Sequence, residues 1–247
     1  MKRKIIVGAT SAIAEHIARL WVAEEAIELV LVGRHQDKLS QVAQDLKIRS
    51  PRSVISTQVS DFLNPEMITK SVNTAVDGKK IDCVLIAHGS LPDQADCQTN
   101  LLSCKEALEI NAISPVLFAE AFVKHLERAN HGTLAIIGSV AGDRGRKSNY
   151  IYGAAKGLLT RFVQGLQHRL ASTNVSAVLI NPGPTATPMT AHLKDKGLKL
   201  ADVQDVAAEI QRAMKKKKSV IYAPKQWHLI MMIIKLLPRP IFNRLNI

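Results

Sequence analysis

The stretch SNYIYGAAK, Ser148 to Lys156, holds two tyrosines and a lysine within nine residues. On a helix, residues four apart share a face, so Tyr152 and Lys156 come within reach of each other, whereas Tyr150 and Lys156, six apart, do not. A phenol beside an ammonium group is a proton-transfer pair. The same spacing also fits a surface tyrosine stacked on a lysine stem, so the pair needs company. Three companions present themselves. Ser139 stands directly after the apolar run TLAIIG. Asn111 lies inside a helical pattern, where asparagine is unfavourable, and Pro115 four residues on disturbs the same hydrogen-bond ladder. NPGPTATPM, Asn181 to Met189, makes a rigid turn after another apolar run, and includes Pro182, Gly183 and Thr185.

A second kind of chemistry is written near the N-terminus. The apolar run KIIV leads into GATSAIAEHIA. A strand, a glycine turn and a helix start together present free N–H groups to a pyrophosphate. Gly8 supplies the turn, and Thr10, Ser11, Ala12 and Ile13 line it, although Ala12 and Ala14 stand where further glycines are expected. An ordinary tight strand-to-helix turn is the alternative. The second apolar run ends in Gly33 and Arg34. An acidic residue there would hold a ribose 2′-hydroxyl; space and a cation instead favour NADP(H) over NAD(H). Arg34 also fits a solvated residue at a helix start. Asp61, just past the third run, is placed to accept a hydrogen bond from an adenine amino group, or to cap a helix. Ala87 and Gly89, at the end of DCVLIAHG, complete the candidate cofactor residues.

These residues need a scaffold that gathers them, and the patterning supplies one. Strand-like runs at Lys4–Ala9, Glu28–Gly33, Ser53–Val59, Asp82–Gly89, Thr133–Ser139, Val175–Gly183 and Ser219–Pro224 alternate with helical segments, including one from Leu101 to Arg128. Near-continuous apolar strands separated by helices predict an α/β fold: a single doubly wound, Rossmann-type parallel sheet with helices on both faces. Such sheets bind ligands beyond the C-terminal ends of their strands. Residues 1–224 are read as a dinucleotide-binding catalytic domain, with 225–247 as an apolar, basic tail of the same domain.

The chain has 247 residues, three cysteines without metal-type spacing, and a net charge of +12. No metal site is expected, and cysteine usage fits a reducing, cytoplasmic setting. The basic, then apolar, N-terminus resembles a short signal peptide, but its apolar run stops at the glycine turn and reads as a strand. The positive charge asks for an anionic partner. Nucleic acid ranks low, because aromatic content is only 4%. The cations concentrate late, in KKKK at Lys215 to Lys218 and at Lys225, Lys235, Arg239 and Arg244. They flank Trp227, Leu229 to Ile234, Leu236 and Leu237, with Phe242, Leu245 and Ile247 beyond. This run is shorter than the ~20 residues a spanning helix needs. It is read either as a segment lying on an anionic membrane or as a helix that closes the substrate pocket or a subunit interface.

The turn at Gly8, Asn111, Ser139, Tyr152 with Lys156, and Pro182-Gly183, in that order, resemble the short-chain dehydrogenase/reductase family over essentially the whole chain. The resemblance implies hydride transfer between a nicotinamide and a carbonyl or alcohol. Tyr152 would be the general acid. Lys156 would lower its pKa and hold the nicotinamide ribose, Ser139 would bind the substrate oxygen, and Asn111 would hold a water in a relay to Lys156. The family's NNAG reads IAHG here, which puts His88 in place of an asparagine as a packing or an active-site residue. MTAHLK, APKQW and IMMIIKLLPRPIFNRL are further similar to family members that reduce a keto-sugar carried on a polyprenyl phosphate. That likeness implies such a substrate and suits the basic, apolar tail, whose reading is peripheral membrane contact at the inner face of the membrane; the family resemblance implies a homo-oligomer. An acyl thioester or another lipidic ketone is the alternative substrate.

Overall fold

The computed structural model describes residues 1–194, 197–216 and 218–245. Seven parallel strands form one sheet in the order β3-β2-β1-β4-β5-β6-β7. They are β1 (Lys2–Val7), β2 (Ile27–Gly33), β3 (Val54–Val59), β4 (Cys83–Ile86), β5 (Gly132–Ile137), β6 (Val175–Pro182) and β7 (Val220–Ala223). The helices between them are α1 (Ala12–Glu24), α2 (Gln36–Arg49), α3 (Pro65–Val76), α4 (Gln94–Thr99), α5 (Leu101–Leu108), α6 (Ser114–Ala129), α7 (Tyr150–Arg169), α8 (Ala191–Lys194) and α9 (Val203–Lys215). After β7 come α10 (Gln226–Leu236) and the short α11 (Arg239–Phe242).

Strand side chains alternate between faces, so both faces must be covered. Ile5, Val7, Val30 and Val32 pack with Ile68 and Val72 of α3, Phe118 and Phe122 of α6, and Leu159 and Val163 of α7. Ile6, Leu29 and Leu31 pack with Ile17 and Trp21 of α1, Leu39 and Leu46 of α2, and Val206 and Ile210 of α9. Register then gathers the site. Val7 lies opposite Val32 and Ile86, Ile86 opposite Ile136, and Ile137 opposite Ile180. The turns at Gly8, Gly33, Ala87, Gly138 and Asn181 therefore leave the sheet along one edge.

The expected helix from Leu101 to Arg128 is instead three segments: α5, a π-turn over Glu109–Ile113, and α6. Pro115 has no N–H to give to the carbonyl four residues earlier, and Asn111 uses its own side chain locally. Helices not anticipated from the pattern include α4 and α9. α9 starts at Asp202, whose carboxylate accepts from the N–H groups of Gln204 and Asp205. Of the KKKK run, Lys217 lies outside the described residues, as does Ile247 of the tail.

Candidate active site and cofactor cleft

Asn111 is the deepest member of the site, with no solvent exposure. Its Nδ2 donates to the Ala107 carbonyl at 2.9 Å, and its Oδ1 accepts from the Ser90 N–H at 2.9 Å. The side chain thus bridges the π-turn to the loop after β4. A Cβ on Gly89 would lie 2.8 Å from Asn111 Oδ1 and 3.6 Å from Lys156 Nζ. Gly89 is the gap through which Asn111 and Lys156 face each other.

Lys156 is buried, and its Nζ donates to the Ile137 carbonyl at 3.1 Å. Burial lowers its pKa to about 8. Its ammonium stands 5.7 Å from the Tyr152 ring centre. Burial raises the Tyr152 pKa, and a hydrogen bond with Ser139 opposes the rise. The shift is upward, opposite to the lowering expected from Lys156, and the phenol keeps its proton at neutral pH. Ser139 caps the 3₁₀ turn Val140–Gly142, its Oγ accepting from the Ala141 N–H at 3.1 Å. Asn111, Ser139, Tyr152 and Lys156 thus converge. Tyr150, at the start of α7, is exposed.

The nucleotide side of the cleft fits a dinucleotide. Gly8 has φ +81°, and a Cβ there would meet the His88 backbone nitrogen at 2.5 Å, so only glycine serves. Ser11 precedes α1 without capping it through its side chain. The N–H groups of Ala12 and Ile13, at the start of a 13-residue helix, are left to an anion. Arg34 is exposed beyond β2. The room expected at Gly33 is taken by a protein side chain: a Cβ there would meet Leu39 Cδ2 at 2.9 Å. Gly33 is small to let α2 pack, and Arg34 alone carries the argument for a 2′-phosphate. Asp61 is not the cap of α3, which is Asn64; its Oδ1 accepts from the Leu63 N–H at 2.8 Å. Ala87 and Gly89 follow β4. His88 is a packing residue, edge-on to Phe62 and Phe118 and bonded through Nε2 to Ser114 Oγ at 2.9 Å. Burial lowers its pKa to about 3, so it is a neutral imidazole.

The far wall joins Gly183, Thr185 and Trp227, already marked in the sequence, to Asp143, Arg144 and Tyr222, which were not. Thr185 Oγ1 donates to the Gly183 carbonyl at 2.9 Å, closing the turn after Pro182. Trp227 of α10 covers Gly183; a Cβ there would fall 2.1 Å from the indole nitrogen. Arg144, five residues after Ser139, donates to the carbonyls of Ile234 and, at 2.8 Å, Leu237, and stacks 3.7 Å from the Phe242 ring centre. Tyr222 donates to Asp143 Oδ2 at 2.8 Å. The tail is therefore clasped to both loops that flank the catalytic residues. The sequence offered the tail as a helix closing the pocket but did not mark Arg144 as its anchor.

The comparisons agree with this geometry. Residues 2–197 match the family described as short chain dehydrogenase. An uncharacterized oxidoreductase in the mprA 5′ region of Streptomyces coelicolor is 30% identical over 241 residues, 98% of this chain and 94% of that protein. The structure of a short chain dehydrogenase from Burkholderia cenocepacia in complex with NADP superimposes with a TM-score of 0.84 at 18% identity, over 100% of both chains. That of 3-oxoacyl-[acyl-carrier protein] reductase from Brucella melitensis in complex with NAD gives 0.79 at 22% identity, over 90% of this chain and 94% of that one. The chain belongs to the short-chain dehydrogenase family and is an NAD(P)-dependent oxidoreductase. Among the described residues, no helix is long and apolar enough to cross a membrane.

Proposed function

We propose that the protein reduces a keto-sugar carried on a polyprenyl phosphate with NADPH, as an enzyme similar to decaprenylphosphoryl-2-keto-β-D-erythro-pentose reductase. The convergence of Ser139, Tyr152, Lys156 and Asn111 carries the reductase part of this reading. The bound nicotinamide would supply the hydride. Ser139 holds the substrate carbonyl oxygen against Tyr152, whose hydroxyl gives up its proton as the oxygen gains charge. The raised phenol pKa suits an acid in the reductive direction. Lys156 and the water held at Asn111 return the proton. Gly8, Thr10, Ser11, Ala12 and Ile13 cradle the pyrophosphate. Arg34 meets the 2′-phosphate, Asp61 the adenine, and Ala87 and Gly89 the adenosine side. Lys156 holds the nicotinamide ribose, and Pro182, Gly183 and Thr185 position the nicotinamide.

The lipid carrier is supported by the tail, a part of the same domain that brings apolar surface and cations beside the site. The tail contacts the inner face of the membrane peripherally, and the enzyme works as a homo-oligomer. The test is NADPH oxidation with a short-chain polyprenyl-phosphoryl 2-keto-pentose beside a 3-ketoacyl thioester. Turnover of the sugar is the expected result. Turnover of the thioester alone would keep the chemistry and discard the carrier. Tyr152→Phe is expected to lose about 10²–10⁴-fold in turnover while still binding NADPH; unchanged turnover would remove Tyr152 from its role.

A further inference from the structure

A second concavity lies along the free edge of the sheet, with Tyr222, whose hydroxyl reaches Asp143, in its inner wall. It has a volume of about 480 Å³ and is lined by Arg212, Lys216, Lys218, Lys225 and His228, with Glu209 among them. Glu209 Oε1 accepts from the Lys225 N–H at 2.9 Å, which occupies it with a backbone group. Among the described residues, Arg212, Lys216, Lys218 and Lys225 form no ion pair. Around that one engaged carboxylate, four cations face the same groove and repel one another until a further anion enters.

Lys225 links this groove to an apolar stripe. It precedes α10 and lies four residues before Leu229, so the two share a face. Leu229, Met232, Ile233 and Leu236 follow at helical spacing with exposures of 58, 46, 54 and 77%. Met231, on the opposite side, is fully buried against the protein. Half of the helix is docked and half is offered outward, with the cationic groove at its N-terminal end.

We infer that the groove beside β7 is a binding site for the phosphate headgroup of an anionic phospholipid, with the outer stripe of α10 entering the acyl layer beside it. The charge of the groove selects the headgroup, and the adjoining stripe selects a lipid over a free phosphate ester. This deepens the reading of the tail as membrane-facing and is independent of the sugar.

The experiment is co-sedimentation of the full chain with vesicles of phosphatidylcholine, with and without phosphatidylglycerol. Binding is expected only with phosphatidylglycerol, and it should weaken as salt rises. The double variant Lys216→Gln/Lys218→Gln should bind those vesicles roughly thirtyfold more weakly while oxidising NADPH with the soluble short-chain sugar like the parent. Ile233→Ser/Leu236→Ser should also lose vesicle binding. Vesicle affinity unchanged in the lysine variant would overturn the site. So would saturable binding of glycerol 1-phosphate to the parent with no vesicle binding, which would give the groove to a free phosphate ester. Vesicle binding without sugar turnover would remove the proposed substrate and leave this site standing.

Discussion

Lys156 sets the pH behaviour of the site. Its pKa in the fold, about 8, lies below its ordinary 10.5 because burial penalises the charge. Between these values the native state binds fewer protons than the unfolded chain, so stability rises with pH across that window. Below about pH 8 the whole penalty applies, on the order of 3 kcal/mol. Lys156→Met is therefore expected to unfold at higher urea than the parent at pH 7 while losing turnover; a less stable variant would show that the ammonium is better satisfied than its burial implies. In the parent, the reductive rate should fall as pH rises through about 8, when Lys156 loses the charge proposed to support proton return. Gly8→Ala tests the nucleotide side. With φ +81° and the His88 backbone 2.5 Å from an added Cβ, the variant should bind NADPH much more weakly and melt lower. Equal binding would mean that the turn relaxes freely. Types and spacing picked out Ser139, Tyr152, Lys156, Asn111 and Gly8 in the sequence as candidates, and the fold gathers them along one edge of the sheet. Types and spacing did not reveal that Leu39 fills the space at Gly33, or that Asn64, not Asp61, caps α3, because both depend on which neighbour arrives first in three dimensions.

At the scale of elements, the strands were readable because parallel strands buried on both faces carry unbroken apolar runs. The breaks were harder. The π-turn at Glu109–Ile113 sits inside a pattern that stays helical on both sides, and only the Asn111–Pro115 pairing marked it. α9 was readable in principle, since Val206, Ala207 and Ile210 recur at helical spacing behind the Asp202 cap, but it was not read. The docking of α10 is a tertiary fact. Arg144 is the side-chain donor to its C-terminal carbonyls at Ile234 and Leu237. Arg144→Ala should free the end of the helix, shift the emission of Trp227 to the red and raise KM more than it lowers kcat. Arg144→Lys should recover only part of this, since an ammonium cannot also stack on Phe242. Trp21 is buried and far from the change, so it supplies a constant background. An unchanged spectrum would show that α10 is held by Met231 and Trp227 alone.

For the whole molecule, the question is where the sheet ends. β3 closes one side and β7 the other. A strand edge is an invitation to pair with a second copy, and lysines along it are the usual deterrent. A two-fold partner at β7 would bring Lys216 and Lys218 against their own equivalents. The proposed homo-oligomer is therefore expected to form elsewhere. Val220→Cys should not form a new disulfide-linked dimer under mild oxidant, beyond what the parent's own cysteines give. A strong new dimer band on a non-reducing gel would place the interface at β7 and put the groove inside it.

The clasp between Arg144 and α10 has a consequence for anyone who recombines this protein with its relatives. The loop after Ser139 looks like a module that can be exchanged to change substrate. Here the loop and the last helices are written in separate parts of the gene yet complete one another. Replacing residues 139–149 alone leaves the helix carbonyls without a guanidinium; replacing 225–245 alone leaves a guanidinium without carbonyls. A chimera that takes both segments from one donor should fold and turn over, and either single exchange should be the poorer enzyme. The unit of inheritance for specificity in this chain is the pair.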